Sequence, residues 1–146
     1  MIDFAGPADL APMALLLQEL FTLESDFQPQ GEKQLAALSW ILDHPEQGRL
    51  FVLRDAGHVV GMANALFCIS TAEGGQVLLL EDVIIAASHR GAGHGKRLLT
   101  HILSWAASQG IKRVTLLADR DNAAALSLYD RLGFEASAMV VRRKRL

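Results

Sequence analysis

With 146 residues, 51% of them hydrophobic and 21% charged, the chain has the balance of a globular protein with a sizeable core, not of a disordered one. A formal net charge of −2 argues against a dedicated nucleic-acid binder, and a single cysteine, Cys68, excludes an intramolecular disulfide and a cysteine-based metal cluster. The acidic start MIDFAGPADL does not read as a secretory leader, and runs such as Val77–Leu80 are too short for a bilayer, so the expectation is one cytoplasmic domain over residues 1–146 without a membrane partner.

Residues 1–5 read as a short strand ended by Gly6-Pro7. Asp9 stands where a helix cap belongs, and Met13, Leu16, Leu17, Leu20 and Phe21 recur at helical spacing, which predicts a helix over 8–22. LESDFQPQG (23–31) reads as a loop. A second helix is expected near 32–43, with Leu35, Leu38, Ile41 and Leu42 on one side. From residue 49 the period changes to that of strands: RLFVLRD, a turn at Ala56-Gly57-His58, then VVGMANALFCIS make a hairpin. VLLLEDVII (77–85) is apolar apart from Glu81 and Asp82 and reads as a central strand buried on both faces. After a glycine-rich loop, Leu98, Leu99, Ile102, Leu103 and Ala106 form a helical stripe stopped by Gly110. VTLLA (114–118) is a strand, Asn122 opens a helix ended by Gly133, and AMVVRRKR is expected as an edge strand whose basic residues blunt it. Trp40 and Trp105 lie on helical stripes and are expected in the core, and Cys68 is expected to pack within its strand. The order predicts a mixed α/β fold, a sheet with helices packed on it.

HRGAGHGKRLL (89–99) carries the chemistry. Glycines lack a Cβ, so a ligand approaches the backbone closely, and a helix N-terminus offers unsatisfied N–H groups and a partial positive charge. With Arg90, Lys96 and Arg97 alongside, the stretch reads as a cradle for phosphate or pyrophosphate. The pattern G-x-x-x-x-G-K-[ST] fails, because Arg90 stands at its first glycine and Arg97 at its Ser or Thr. The dinucleotide pattern G-x-G-x-x-G fails as well, because Gly91, Gly93 and Gly95 alternate. His89, His94 and His101 lack a neighbouring carboxylate at ligand spacing, so no metal is expected.

Arg90-x-x-Gly93-x-Gly95 does resemble the R/Q-x-x-G-x-G/A loop of the GNAT superfamily of N-acetyltransferases. The preceding Leu80-Glu81-Asp82-Val83-Ile84-Ile85 resembles that family's fourth strand, and Asn122, Tyr129 and Gly133-Phe134 resemble its later N…Y…GF segment. Within the family, the Glu81-Asp82 pair is most similar to diamine and polyamine acetyltransferases. The resemblance implies a mostly antiparallel twisted sheet whose fourth and fifth strands splay, about four flanking helices, and acetyl-CoA as co-substrate. It also implies that Val83, Ile84 and Ile85 lie along the pantetheine arm and that Arg90, Gly91, Ala92, Gly93, His94, Gly95 and Lys96 hold the pyrophosphate. Asn122 and Ala124 would touch the cofactor from the next helix, where Asn122 also reads as a plain helix cap.

The same resemblance makes Tyr129 the general acid that protonates the leaving thiolate. Glu81 and Asp82, adjacent on a strand, are expected on opposite faces, and Glu81 is taken as the base and as an acceptor contact. Glu24, Asp26 and Phe27, with Glu32, would line a site for a small cationic amine, although a plain solvated loop explains that stretch as well. A peptide amine is the second acceptor class, and a non-catalytic acyl-CoA sensor is the rival to an enzyme. The resemblance also implies a homodimer, joined through the exposed last strand.

Overall fold

A computed structural model describes residues 1–24 and 29–146 of the chain. Five strands form one sheet in chain order: β1 (Ile2–Phe4), β2 (Gly48–Asp55), β3 (His58–Ser70), β4 (Gly75–Ile85) and β5 (Val114–Leu116). The first four are antiparallel and β5 runs parallel to β4. The helices are α1 (Leu10–Leu23), α2 (Gly31–Asp43), α3 (His94–Ser108) and α4 (Ala123–Arg131), with 3-10 turns at Pro7–Asp9 and Ala87–His89. Among the described residues, no helix is long and apolar enough to cross a membrane.

Strand alternation divides the core into two layers. Leu50, Val52, Met62 and Ile84 pack against Met13, Leu16 and Leu17 of α1 and Leu38 and Ile41 of α2. Phe51, Leu53, Ala63, Ala65, Leu78 and Leu80 face the other way, onto Leu98, Leu99, Ile102 and Ala106 of α3. Each large side chain fully buried in this way contributes about 1.5–3 kcal/mol. Both faces of the sheet are thus covered, which is why β4 carries so few polar residues.

β4 and β5 pair only from Leu78↔Val114 to Leu80↔Leu116. β4 continues to Ile85 with no β5 residue beside it, so the two strands part after Leu80, as the family resemblance implies.

Several expectations need correction. Asp9 does not cap α1 with its side chain; its carboxylate accepts from the Gly6 amide at 2.8 Å and takes both guanidinium nitrogens of Arg54 at 2.7 Å. The residue that reads as a local cap is a buried tether to β2. Trp105 packs in the core at 5.1 Å from the Phe51 ring, whereas Trp40 is 51% exposed and stacks on His44. Helical spacing alone does not tell the buried edge of a stripe from its rim. Cys68 is exposed near the solvent end of β3.

The expected last strand is not formed. Residues 134–146 contain neither helix nor strand, and Met139, Val140 and Val141 are exposed. A β-branched run forms a strand only where an adjacent edge supplies its hydrogen bonds. β4 is bordered by β3 and β5, and the short β5 ladder does not extend to this segment.

Candidate active site

The glycine-rich loop joins the end of β4 to α3. Gly91 and Gly93 have φ of +80° and +79°, and a Cβ on either would meet nothing within 4 Å. Their requirement is conformational, and the space beside them is open. Gly95 differs, because its Cβ would come within 3.2 Å of Leu128 Cδ2, so its bareness lets α4 approach α3. The helical ladder of α3 begins with the Arg97 amide donating to the Gly93 carbonyl at 3.0 Å. The amides of His94, Gly95 and Lys96 therefore stand at the open N-terminal end of a 15-residue helix, the geometry that receives an anion. His94 Nδ1 lies 3.5 Å from Arg97 Nη1. Among the described residues no group of three His, Cys, Asp or Glu has metal-binding proximity.

Asn122 caps α4, its Oδ1 accepting from the Ala125 amide at 3.1 Å, with Ala124 in the same first turn. One helix face farther on, Tyr129 is half-buried against the α3 side of the core, its ring edge-on to Phe134 at 5.9 Å. Burial, with the negative charge of Glu24 behind it, raises its phenol above the ordinary value. The hydroxyl therefore keeps its proton at neutral pH. That coupling also places the end of α1 within electrostatic reach of α4. Glu24 is described; Asp26 and Phe27 lie outside the described residues. Glu32 is exposed in the first turn of α2.

The expectation that Glu81 and Asp82 face opposite ways fails at a bulge. Asn64 pairs with Glu81 and Met62 with Ile84, so Asp82 and Val83 together oppose Ala63 alone. Asp82 sits at φ +55°, a conformation short acidic side chains tolerate better than most. The extra residue keeps Asp82 on the α1–α2 face with Asn64, the side on which the pairing also places Glu81.

There Asp82 and Asn64 line a cavity of about 180 Å³ together with Leu17, Phe21, Leu38 and Ile41 and with the polar Lys33 and Gln34 of α2. Asn64 is 4% exposed; its Nδ2 lies a long 3.5 Å from Asp82 Oδ2, and its Oδ1 has no hydrogen-bond partner. Burial first, then the neighbouring Glu81 charge, push the Asp82 carboxyl up to about 6, against the lowering effect of the Asn64 hydrogen bond. Sequence reasoning missed Asn64, although a lone amide inside VVGMANALF was a visible signal.

The profile of the acetyltransferase (GNAT) family matches residues 14–134. The chain belongs to the GNAT acetyltransferase family. It is 30% identical over 95 residues to glucosamine 6-phosphate N-acetyltransferase of Trypanosoma brucei brucei, a match covering 64% of this chain and 63% of that one. Among solved structures, a Trypanosoma brucei acetyltransferase superposes with a TM-score of 0.76 at 26% identity, covering 99% of both chains. The GNAT fold is shared as well with AAC(6')-Iy, solved with the bisubstrate analogue CoA-S-monomethyl-acetylneamine: TM-score 0.79, 22% identity, 100% of this chain and 98% of that one. The matches span 22%, 39% and 63% of the length of three curated relatives.

Proposed function

We propose that the chain is an N-acetyltransferase that moves the acetyl group of acetyl-CoA to the primary amine of a small cationic acceptor, by direct attack within a ternary complex. The observation that supports this most is the parting of β4 and β5 after Leu80. It leaves the Glu81–Ile85 edge open for an extended ligand, with the amides of α3 at one end and the Asn64–Asp82 cavity on the α1–α2 face.

In this reading Gly91, Ala92, Gly93, His94, Gly95 and Lys96 hold the diphosphate, Val83 and Ile84 flank the arm, and Asn122 and Ala124 close over it. The bulge changes the choice of base from Glu81 to Asp82, the carboxylate that lines the cavity, with Glu81 as its charged neighbour. Asp82 and the unpartnered Asn64 Oδ1 are two acceptors for an ammonium's N–H groups, and Asp82 takes one proton from it. The neutral nitrogen then attacks the thioester carbon. As the C–S bond breaks, Tyr129 gives its phenolic proton to sulfur, and the phenolate collects the surplus proton from the new amide nitrogen. The cavity volume favours a short aminoalkyl group over a peptide backbone. Glu24, which follows the last residue of α1, adds negative charge within reach of Tyr129. Assembly as a homodimer completes the reading, supported by the exposed Met139, Val140 and Val141.

The test is acetyl-CoA consumption over diamines, polyamines, amino acids, amino sugars and lysine peptides. Turnover with one small amine is expected. Turnover with peptides alone points to the second acceptor class, and CoA binding with no turnover on any amine points to a sensor. Sedimentation at one chain mass, 15.9 kDa, counts against the dimer.

A further inference from the structure

Arg90 opens the glycine motif, yet its side chain is committed elsewhere. Its Nη2 donates to Glu19 Oε1 at 2.5 Å and its Nε donates to the Ile85 carbonyl at 2.8 Å. The same Glu19 oxygen accepts the Ala87 amide at 3.0 Å. Glu19 lies on α1, 68 residues before Ala87 and 71 before Arg90. One carboxylate oxygen therefore fastens the last residue of β4, the turn Ala87–His89 and the start of the loop to a helix from the opposite end of the chain. That helix also supplies Leu17 and Phe21 to the acceptor cavity.

As a surface ion pair this contact would contribute little, about 0–1 kcal/mol, since both side chains are more than a third exposed or close to it. Its partners are the informative part. Two of its three hydrogen bonds go to backbone, one on each side of the point where β4 turns into the loop. Such bonds fix where the chain points. Gly91 and Gly93, both at positive φ, bring no side chains to hold the loop's course, so its anchors lie just before them, in Arg90 and in His89, whose Nε2 is 3.7 Å from Asp55 Oδ2.

We infer that Glu19 is a positioning residue for the cofactor: through Arg90 and the Ala87 amide it sets the loop so that the amides from Gly91 to Lys96 converge on the diphosphate. Arg90 then serves as a strut between strand and helix, and the diphosphate is gripped by the loop amides and the dipole of α3. This inference rests on the acetyl-CoA reading above. The opposite arrangement has Glu19 as a competitor that Arg90 must leave in order to reach the diphosphate, and the two differ in sign.

The experiment is calorimetric titration of CoA into the wild-type chain, Glu19→Ala, Arg90→Ala, the double variant and Glu19→Gln, with near-ultraviolet circular dichroism as the check of folding. Loss of the strut is expected to weaken CoA binding about tenfold in each single alanine variant, with no further loss in the double variant because the two act as one unit. Glu19→Gln keeps the accepting oxygen and is expected within about threefold of wild type, a rescue that a role of bulk charge would not give. In turnover, KM for acetyl-CoA rises with the binding loss while kcat and KM for the amine hold. Tighter or unchanged binding in Glu19→Ala overturns the inference, as does additive loss in the double variant. Should Glu19→Ala not fold, Glu19→Leu, which keeps the aliphatic stem and removes the accepting oxygen, replaces it in the single and the double variant with the same outcomes. Absence of CoA binding by folded wild type removes the acetyl-CoA reading itself, a result separable from the others.

Discussion

Asp82 owes its character to one extra residue in β4. Without the bulge, strict alternation would send it to the α3 face; with it, Asp82 joins Asn64 in the lining of the cavity between the sheet and α1–α2. There its carboxyl rises to about 6, mainly through burial. As the proposed base Asp82 must be ionised, so kcat/KM is expected to fall as pH drops through about 6, and Asp82→Asn is expected to remove that limb along with about 99% of the activity. The stability effect has the opposite sign. A carboxyl whose folded pKa lies above its unfolded value of 3.8 costs stability once pH rises through 3.8 to 6, so Asp82→Asn is expected to raise Tm by about 3 °C at pH 7 and to leave it unchanged near pH 3. Tyr129→Phe keeps the ring against Phe134 and removes only the proton donor. Its kcat is expected to fall about 100-fold, with CoA affinity unchanged by calorimetry; undiminished turnover would remove Tyr129 from the chemistry. Neither role follows from a residue's type alone. The sequence marks Tyr129 by its place in a motif, but which of two adjacent acids lines the cavity depends on a bulge that adjacency does not encode.

At the scale of elements, the strands and helices follow the hydrophobic period closely. The 13-residue β3 and the 15-residue α3 both lie where spacing predicts them. What the period does not encode is how elements are tied together. Asp9 and Arg54 form a two-pronged pair 45 residues apart, with Asp9 only 5% exposed. The Arg54 hydrogen bond holds the Asp9 carboxyl below its ordinary value. Its contribution is therefore present above pH 3.8 and lost as pH falls through the lowered pKa. Asp9→Ala strands the guanidinium against the buried end of α1, and urea unfolding at pH 7 is expected to show a loss of about 2–3 kcal/mol that shrinks in acid. The unformed last strand fails for a related reason: a β-branched run states a preference, and pairing needs an edge.

For the whole molecule, the gap proposed to hold the cofactor borders elements distant in sequence: in that reading α1 and α2 wall the acceptor end, the loop before α3 supplies the phosphate end, and Tyr129 comes from α4, packed on the α3 side of the sheet. A ligand that bridges these parts binds the folded chain and not the unfolded one. CoA at about 100 times its Kd is expected to stabilise the protein by about 2.7 kcal/mol, a rise in Tm of roughly 5–10 °C, read by differential scanning. A melting curve indifferent to CoA would contradict the proposed use of the gap.

By itself the sequence determined the order of elements from β1 to α4, the two-faced burial of β4, the anion-ready start of α3 and the family, because local periodicity and glycine placement act over a few residues. Tertiary structure alone decided that Asp82 and not Glu81 lines the cavity beneath α1 and α2, that Asn64 lines it too, and that Glu19 reaches across 71 residues to Arg90. Those outcomes depend on register and on which surfaces meet, and a contact between distant residues leaves no period in either segment.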